Sequence, residues 1–249
     1  MNSFAVRTAL LLPFLTLSAG DVNAQDASTN QPPKPKWETS AAVGATVTQG
    51  NSDSTLLTMN ILSRKNWDKN ELSLGADAAY GETENVKSSE TAHAFAQYNR
   101  LWSDRMFGYL RLDGLHDDIA DIDYRLTVSP GLGYYLVKNE ITKLSVEAGP
   151  AFIYEKQGGD TEGYMTLRLA ERFEHQFNDK VRMWQSAEYL PQVDNFENFL
   201  LNAEVGVEAV LTKRVSLRVF AVDNYDNEPA PGRKENDLKF VTAIAYTFK

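Results

Sequence analysis

From Trp37 to its C-terminus the chain falls into strand-length segments in which apolar and polar positions alternate with period two. The last segment, Asp237–Lys249, places Leu238, Phe240, Thr242, Ile244, Tyr246 and Phe248 on one face. A soluble sheet ending on such a strand would expose a sticky, unpaired edge, whereas a closed barrel pairs its last strand with its first. Other segments repeat the pattern. Leu72, Leu74, Ala76, Ala78 and Tyr80 share a face, as do Leu126, Val128, Pro130, Leu132 and Tyr134, and Phe199, Leu201, Ala203, Val205, Val207 and Ala209. Each band is long enough to cross a bilayer as a tilted strand.

Five short polar connections, Asp68-Lys69-Asn70, Ser103-Asp104-Arg105, Lys138-Asn139-Glu140, Asn178-Asp179-Lys180 and Thr212-Lys213-Arg214, recur every 34 to 40 residues, a hairpin repeat. Between them lie six connections read as longer: Gly50–Ser54, Glu82–Ser89, Asp117–Asp123, Lys156–Glu162, Pro191–Glu197 and Asp226–Asn236. Alternation of the two kinds predicts an all-β fold, an antiparallel transmembrane β-barrel of twelve strands with both termini at the short-turn end. Trp37, Trp67, Trp102, Tyr134, Phe177 and Phe248 fall beside the short turns. Tyr80, Tyr124, Tyr154, Tyr164, Tyr189, Phe199 and Tyr225 fall beside the long ones, so two aromatic girdles are expected at the membrane interfaces. A soluble β-domain, which would place its aromatics mid-strand, is the alternative.

Three places fit poorly. Thr161–Phe177 is rich in helix formers, and Glu171 falls on the lipid face set by Met165, Leu167 and Leu169; a helix or a register-shifting bulge would resolve this. Ala92–Trp102 and Val181–Leu190 alternate weakly. Pro130 and Pro150 each remove a ladder hydrogen bond, which predicts a bulge or a rim position.

The N-terminus changes the setting. Arg7, the apolar run Ala9–Leu17 and Val22-Asn23-Ala24 read as a cleaved secretory signal over 1–24, with a short amphipathic helix as the alternative. Residues 25–36 are a polar, Pro-rich periplasmic linker, and 37–249 form the barrel. No later apolar run is long enough for a membrane helix. The 249 residues contain no Cys, which excludes disulfides and a lipidated Cys, and the net charge of −9 argues against a nucleic-acid partner. The expected location is the outer membrane of a Gram-negative bacterium, with outer-membrane lipid, lipopolysaccharide and the barrel assembly machinery as partners.

Four stretches carry a family resemblance: Gly50-Asn51-Ser52-Asp53-Ser54, Leu144-Ser145-Val146-Glu147-Ala148-Gly149, Glu188-Tyr189-Leu190-Pro191, and Tyr225–Gly232 with Lys234-Glu235-Asn236-Asp237. In these the chain resembles the bacterial family of salt-induced outer-membrane proteins, catalogued as domain of unknown function 481. The resemblance implies an outer-membrane barrel linked to salt or osmotic stress, and brings no activity, cofactor or catalytic residue.

Strand parity sends one charged set inward: Arg64, Asp77, Arg111, Asp113, Arg125, Glu147, Arg168, Arg172, Glu174, Arg182, Glu188, Glu204, Glu208, Arg218 and Lys239. Both signs are present, so these groups either fill the lumen by pairing or line a narrow polar channel, for which Gly75, Gly131, Gly133 and Gly206 would leave room. His93, His116 and His175 are read as too dispersed for one catalytic site. Asp117, Asp118, Asp121 and Asp123 crowd one loop as a hard-cation site or, more simply, a solvated acidic loop. No catalytic, cofactor or metal residue is assigned. The function expected is non-enzymatic support of the envelope under salt or osmotic stress. A narrow channel for ions or small solutes is the alternative, and a lipid hydrolase at the rim around His116 the third reading.

Overall fold

The computed structural model describes residues 36–48 and 53–248. The expected signal, nearly all of the expected linker, and Lys249 lie outside them. The described residues form twelve strands: β1 Glu38–Thr48, β2 Ser54–Trp67, β3 Asn70–Thr83, β4 Val86–Leu101, β5 Met106–Asp117, β6 Ile122–Lys138, β7 Thr142–Gln157, β8 Asp160–Asn178, β9 Val181–Pro191, β10 Phe199–Val210, β11 Val215–Asp226 and β12 Asn236–Phe248. Each pairs antiparallel with its sequence neighbours, and β12 pairs with β1 from Thr39↔Phe248 to Gly44↔Ala243, closing the barrel. The terminal strand thus meets the first, and no sheet edge remains for another chain to template.

The apolar faces point outward. Val43, Met59, Leu74, Leu112, Leu132, Phe152, Leu167, Val207, Val219 and Ile244 are all exposed on the outer surface, the band a bilayer core selects. Trp37, Trp102, Tyr134, Phe177 and Phe248 edge it at the short-turn end, where Lys65 stands 5.6 Å from the rings of both Trp37 and Trp67. At the opposite end Tyr124 packs on Tyr154, Tyr189 on Phe199 and Phe199 on Tyr225, with centroids 5.8, 5.4 and 5.5 Å apart. Tyr164 departs from the expected girdle. Its parity on β8 is inward, and its hydroxyl donates to Glu155 at 2.6 Å.

Two of the connections read as long are tight hairpins. Glu84-Asn85 joins β3 to β4 with φ of 52° and 61°, and Gly158-Gly159 joins β7 to β8 with φ of 61° and 90°. These are the positive values a two-residue hairpin demands. The strands run on beyond the membrane band, where both faces are polar and the period-two signal vanishes. Thr161–Phe177 belongs to the unbroken 19-residue β8, neither a helix nor a bulge at Glu171. Glu171 keeps its outward register, and Gln185 on β9 donates to it at 2.6 Å. A lipid-facing carboxylate is tolerated here by a local partner.

The weak alternation of β4 has an inverted cause: its outward residues are Ala92, Ala94 and Ala96, while His93, Phe95 and Gln97 face the lumen. Pro130 and Pro150 lie mid-strand, not at a bulge or rim. The β6–β7 ladder holds the same register on both sides of a gap between Val128↔Phe152 and Leu132↔Ala148. A Cβ on Gly149 would stand 2.2 Å from the Pro130 carbonyl oxygen, so only glycine lets the strands close over that gap.

Candidate functional site

All fifteen charged residues assigned inward by parity do face the lumen. The inward glycines do not widen it. Each directly faces an aromatic residue across the ladder: Gly75↔Phe95, Tyr109↔Gly131, Phe107↔Gly133 and Gly206↔Trp184. A Cβ at these positions would fall 2.1 to 2.5 Å from the ring. The glycines therefore let four rings lie flat on the inner wall, and this corrects the expectation that they line open space.

On β4–β8 the flat rings carry a second layer. The Arg111 guanidinium stacks 4.4 Å above Phe95 and that of Arg168 5.2 Å above Tyr109. A third layer of acceptors holds the guanidinium groups. Arg111 donates to both oxygens of Asp113 and, at 3.2 Å, to Gln97. Arg168, only 2% exposed, donates to Glu147 at 2.8 Å and to Glu188 at 2.5 Å. Gln97 also donates to Glu147 at 2.8 Å, tying β4 to β7. Bidentate, stacked arginines of this kind are the strong ones, and lysine would not replace them.

Other pairs cross the lumen between strands far apart in the ring. At the loop end Arg125 on β6 contacts Glu155 on β7 and donates to Asp226 on β11 at 2.8 Å. Lys239 on β12 stands 3.9 Å from Asp117 on β5. Towards the short turns Arg64 on β2 meets Glu174 on β8 at 2.9 Å, six strands away around the ring. Near the closing seam Glu208 gathers Arg182 at 2.7 Å and Arg218 at 3.3 Å, and Arg218 reaches Ser40 at 3.1 Å.

Within this frame lies a cavity of about 470 Å³, lined among others by Asp77, His93, Arg172, Trp184, Glu204 and Phe220. A second concavity, of about 550 Å³, lies on the outer face between Leu132, Val146 and Leu169 and is mostly apolar, with Glu171 among its lining.

The histidines occupy three separate places. His93 sits in the lumen between Asp77 at 3.0 Å and Asp113 at 3.4 Å. His116 points outward at the rim, its Nδ1 3.0 Å from the Asp123 carbonyl. His175 lies on the outer face near the short turns, 2.9 Å from the Thr142 hydroxyl. The acidic loop disperses likewise. Asp117 turns inward and accepts from the amides of Ile119 and Ala120 at 3.0 Å, Asp118 meets Lys87 at 2.9 Å, and Asp123 meets Lys156 at 2.6 Å. Parity found the inward charges and most of their partners, but not Glu155 and Asp226, which hold Arg125, nor Asp117 beside Lys239, because these lie near strand ends, where alternation is faint.

Three solved structures resemble the fold. A NanC porin aligns with a TM-score of 0.50 at 8% identity, covering 86% of this chain and all of that one. A KdgM porin in complex with disordered oligogalacturonate gives 0.48 at 8% identity, over 85% and 99%. The translocator domain of the autotransporter NalP from Neisseria meningitidis gives 0.47 at 11%, over 88% and 90%. No curated protein matches the sequence. The family described as "Protein of unknown function, DUF481" matches residues 41–248, nearly the whole barrel, and the chain belongs to that family.

Proposed function

We propose that the chain is an outer-membrane barrel whose narrow lumen passes ions or small polar solutes, exported with removal of residues 1–24. The observation that carries this reading is the polar cavity together with how lightly it is closed towards the short turns. There, among the described residues, the widest crossing is the ion pair Arg64–Glu174, whose side chains are 36% and 28% exposed, and a shorter one joins Glu71 on β3 to Lys138 and Tyr135 on β6. A half-exposed pair of this kind is worth about 1 kcal/mol, little enough for the proposed passage to open it. The outward apolar band, its two girdles and the closed seam support a membrane setting, and the outer membrane is where such barrels reside. The reading is non-enzymatic, in keeping with three histidines in three unrelated environments.

The test is conductance of the refolded barrel in a planar bilayer. Discrete steps are expected, and Arg64→Gln, which removes the crossing pair, should enlarge them. Background conductance from protein that still shows the heat-shifted gel mobility of a closed barrel would overturn the channel. That outcome would leave the second reading, structural support of the envelope under salt or osmotic stress. The layered pairing on β4–β8 favours it, and it predicts that loss of the protein makes cells leak periplasmic contents after a salt upshift.

A further inference from the structure

One row of the inner wall stands outside the pairing that consumes the rest. Six of the seven inward arginines on the strands have an ion pair in the structure. The seventh, Arg172 on β8, has neither an ion pair nor a hydrogen bond among the described residues, and it lines the lumen cavity. The charges that act on it most are Glu147, already engaged by Arg168 and Gln97, and the like-charged Arg111, Arg64 and Arg168, and it attracts Glu204 along the row without meeting it. The same row holds its counterpart. Arg172 pairs with Ser186 on β9, and Ser186 with Glu204 on β10. Neighbouring strands are about 4.8 Å apart, so the backbones of Arg172 and Glu204 are separated by about 10 Å with only a serine between them.

Glu204 accepts from the Trp184 indole and, among the described residues, from no cation. Trp184 lies flat over Gly206 and packs against Phe220, with ring centroids 6.1 Å apart. Asp77 lines the same cavity and repels that carboxylate, while Arg172 and Arg218 attract it from beyond hydrogen-bond reach. One end of the row thus presents a guanidinium with its donors free, and the other a carboxylate framed by two rings. The first suits a carboxylate; the second suits an organic cation, above all a methylated ammonium, which aromatic faces attract.

From this we infer that the lumen holds a binding site for a small zwitterionic solute, its carboxylate on Arg172 and its ammonium on Glu204 beside Trp184 and Phe220. The inference rests on the channel reading for its meaning, since it names the class of solute the lumen would select, but binding itself does not require conduction.

The test uses the refolded, detergent-solubilised barrel with glycine betaine as probe, the smallest carboxylate that carries a trimethylated ammonium. Trp184 is the lumen tryptophan, whereas Trp37, Trp67 and Trp102 border the lipid band, so intrinsic fluorescence reads the site directly. A saturable change is expected, with Trp184→Phe abolishing the signal. Arg172→Gln and Glu204→Gln should each weaken binding at least about tenfold, the scale of one charge-assisted hydrogen bond. Acetate or tetramethylammonium alone should bind at least about tenfold more weakly than the zwitterion. The exchange Arg172→Glu with Glu204→Arg should recover only part of the binding, because a zwitterion can reverse in the site but then turns its ammonium away from Trp184 and Phe220. A barrel of normal heat-shifted mobility that shows no saturable change, or equal binding by wild type and Arg172→Gln, would overturn the inference. Conductance without binding would sink this site and leave the channel standing; binding without conductance would uphold the site and sink the channel.

Discussion

The wall built by β4–β8 and the row Arg172–Ser186–Glu204 use the same residue types to opposite ends. On β4–β8 a glycine admits a ring, the ring carries a guanidinium, and two acceptors hold the guanidinium: Gly131, Tyr109, Arg168, then Glu147 and Glu188. Along the other row the aromatic floor is present, with Trp184 over Gly206, but the guanidinium and the carboxylate stand apart across Ser186. A charge whose partners are built into the wall contributes structure. A charge left two strands from its complement, in a polar cavity, is available to a solute. Residue type alone does not separate the two; the number of partners within reach does.

The contrast is broken most severely at Arg168. Removing it by Arg168→Leu leaves Glu147 and Glu188 without their cation in a site where the arginine is only 2% exposed. Loss of one partner of a buried pair costs about 3–5 kcal/mol, to be read as a lowered urea midpoint of the barrel in lipid vesicles. Next comes the glycine layer. Gly133→Val would drive a side chain into Phe107, whose ring would stand 2.1 Å from a Cβ at that position, and overpacking of this kind costs about 1–3 kcal/mol on the same measurement. On the open row Arg172→Gln should change stability least of the three, by less than about 1 kcal/mol, because it loses only attraction to Glu147 and Glu204 and no ion pair or hydrogen bond among the described residues.

The smallest effect is expected at the exposed loop end. Lys87 hydrogen-bonds Asp118 at 2.9 Å, and that bond, with the lysine charge, holds the Asp118 carboxyl below the usual carboxylate range. A carboxyl lowered by folding contributes stability above its unfolded value and loses it as pH falls through the folded one. Wild type and Asp118→Asn should therefore differ slightly near neutral pH in their urea midpoints and converge at acid pH.

Much of this fold was legible in the chain itself. Period-two alternation gave twelve strands, the outward face and the inward set from Arg64 to Lys239, because one side of nearly every strand is apolar where it meets lipid. What stayed hidden follows from two physical limits. Beyond the bilayer both faces of a strand are polar, so Glu84-Asn85 and Gly158-Gly159 read as parts of long loops when they are tight turns at the tips of extended strands. And contacts across the lumen depend on closure of the ring. Arg64–Glu174 and Arg125–Asp226 join residues 110 and 101 positions apart, a pairing no local pattern encodes. The aromatic–glycine pairs stand between these cases: register, once known, sets Gly133 opposite Phe107 and Gly206 opposite Trp184. Glu171 was visible as a misfit, but its answer, Gln185 on the neighbouring strand, lies outside its own strand.

The proposed passage runs along the row whose charges lack partners. The most direct measurement is the reversal potential of single barrels in a bilayer under a salt gradient, comparing wild type with Arg172→Glu. Discrete conductance is expected in both, with the variant shifted towards cation selectivity because a charge facing the permeating solution has been reversed. A conducting wild type whose selectivity is untouched by Arg172→Glu, or a folded barrel that does not conduct, would contradict the account.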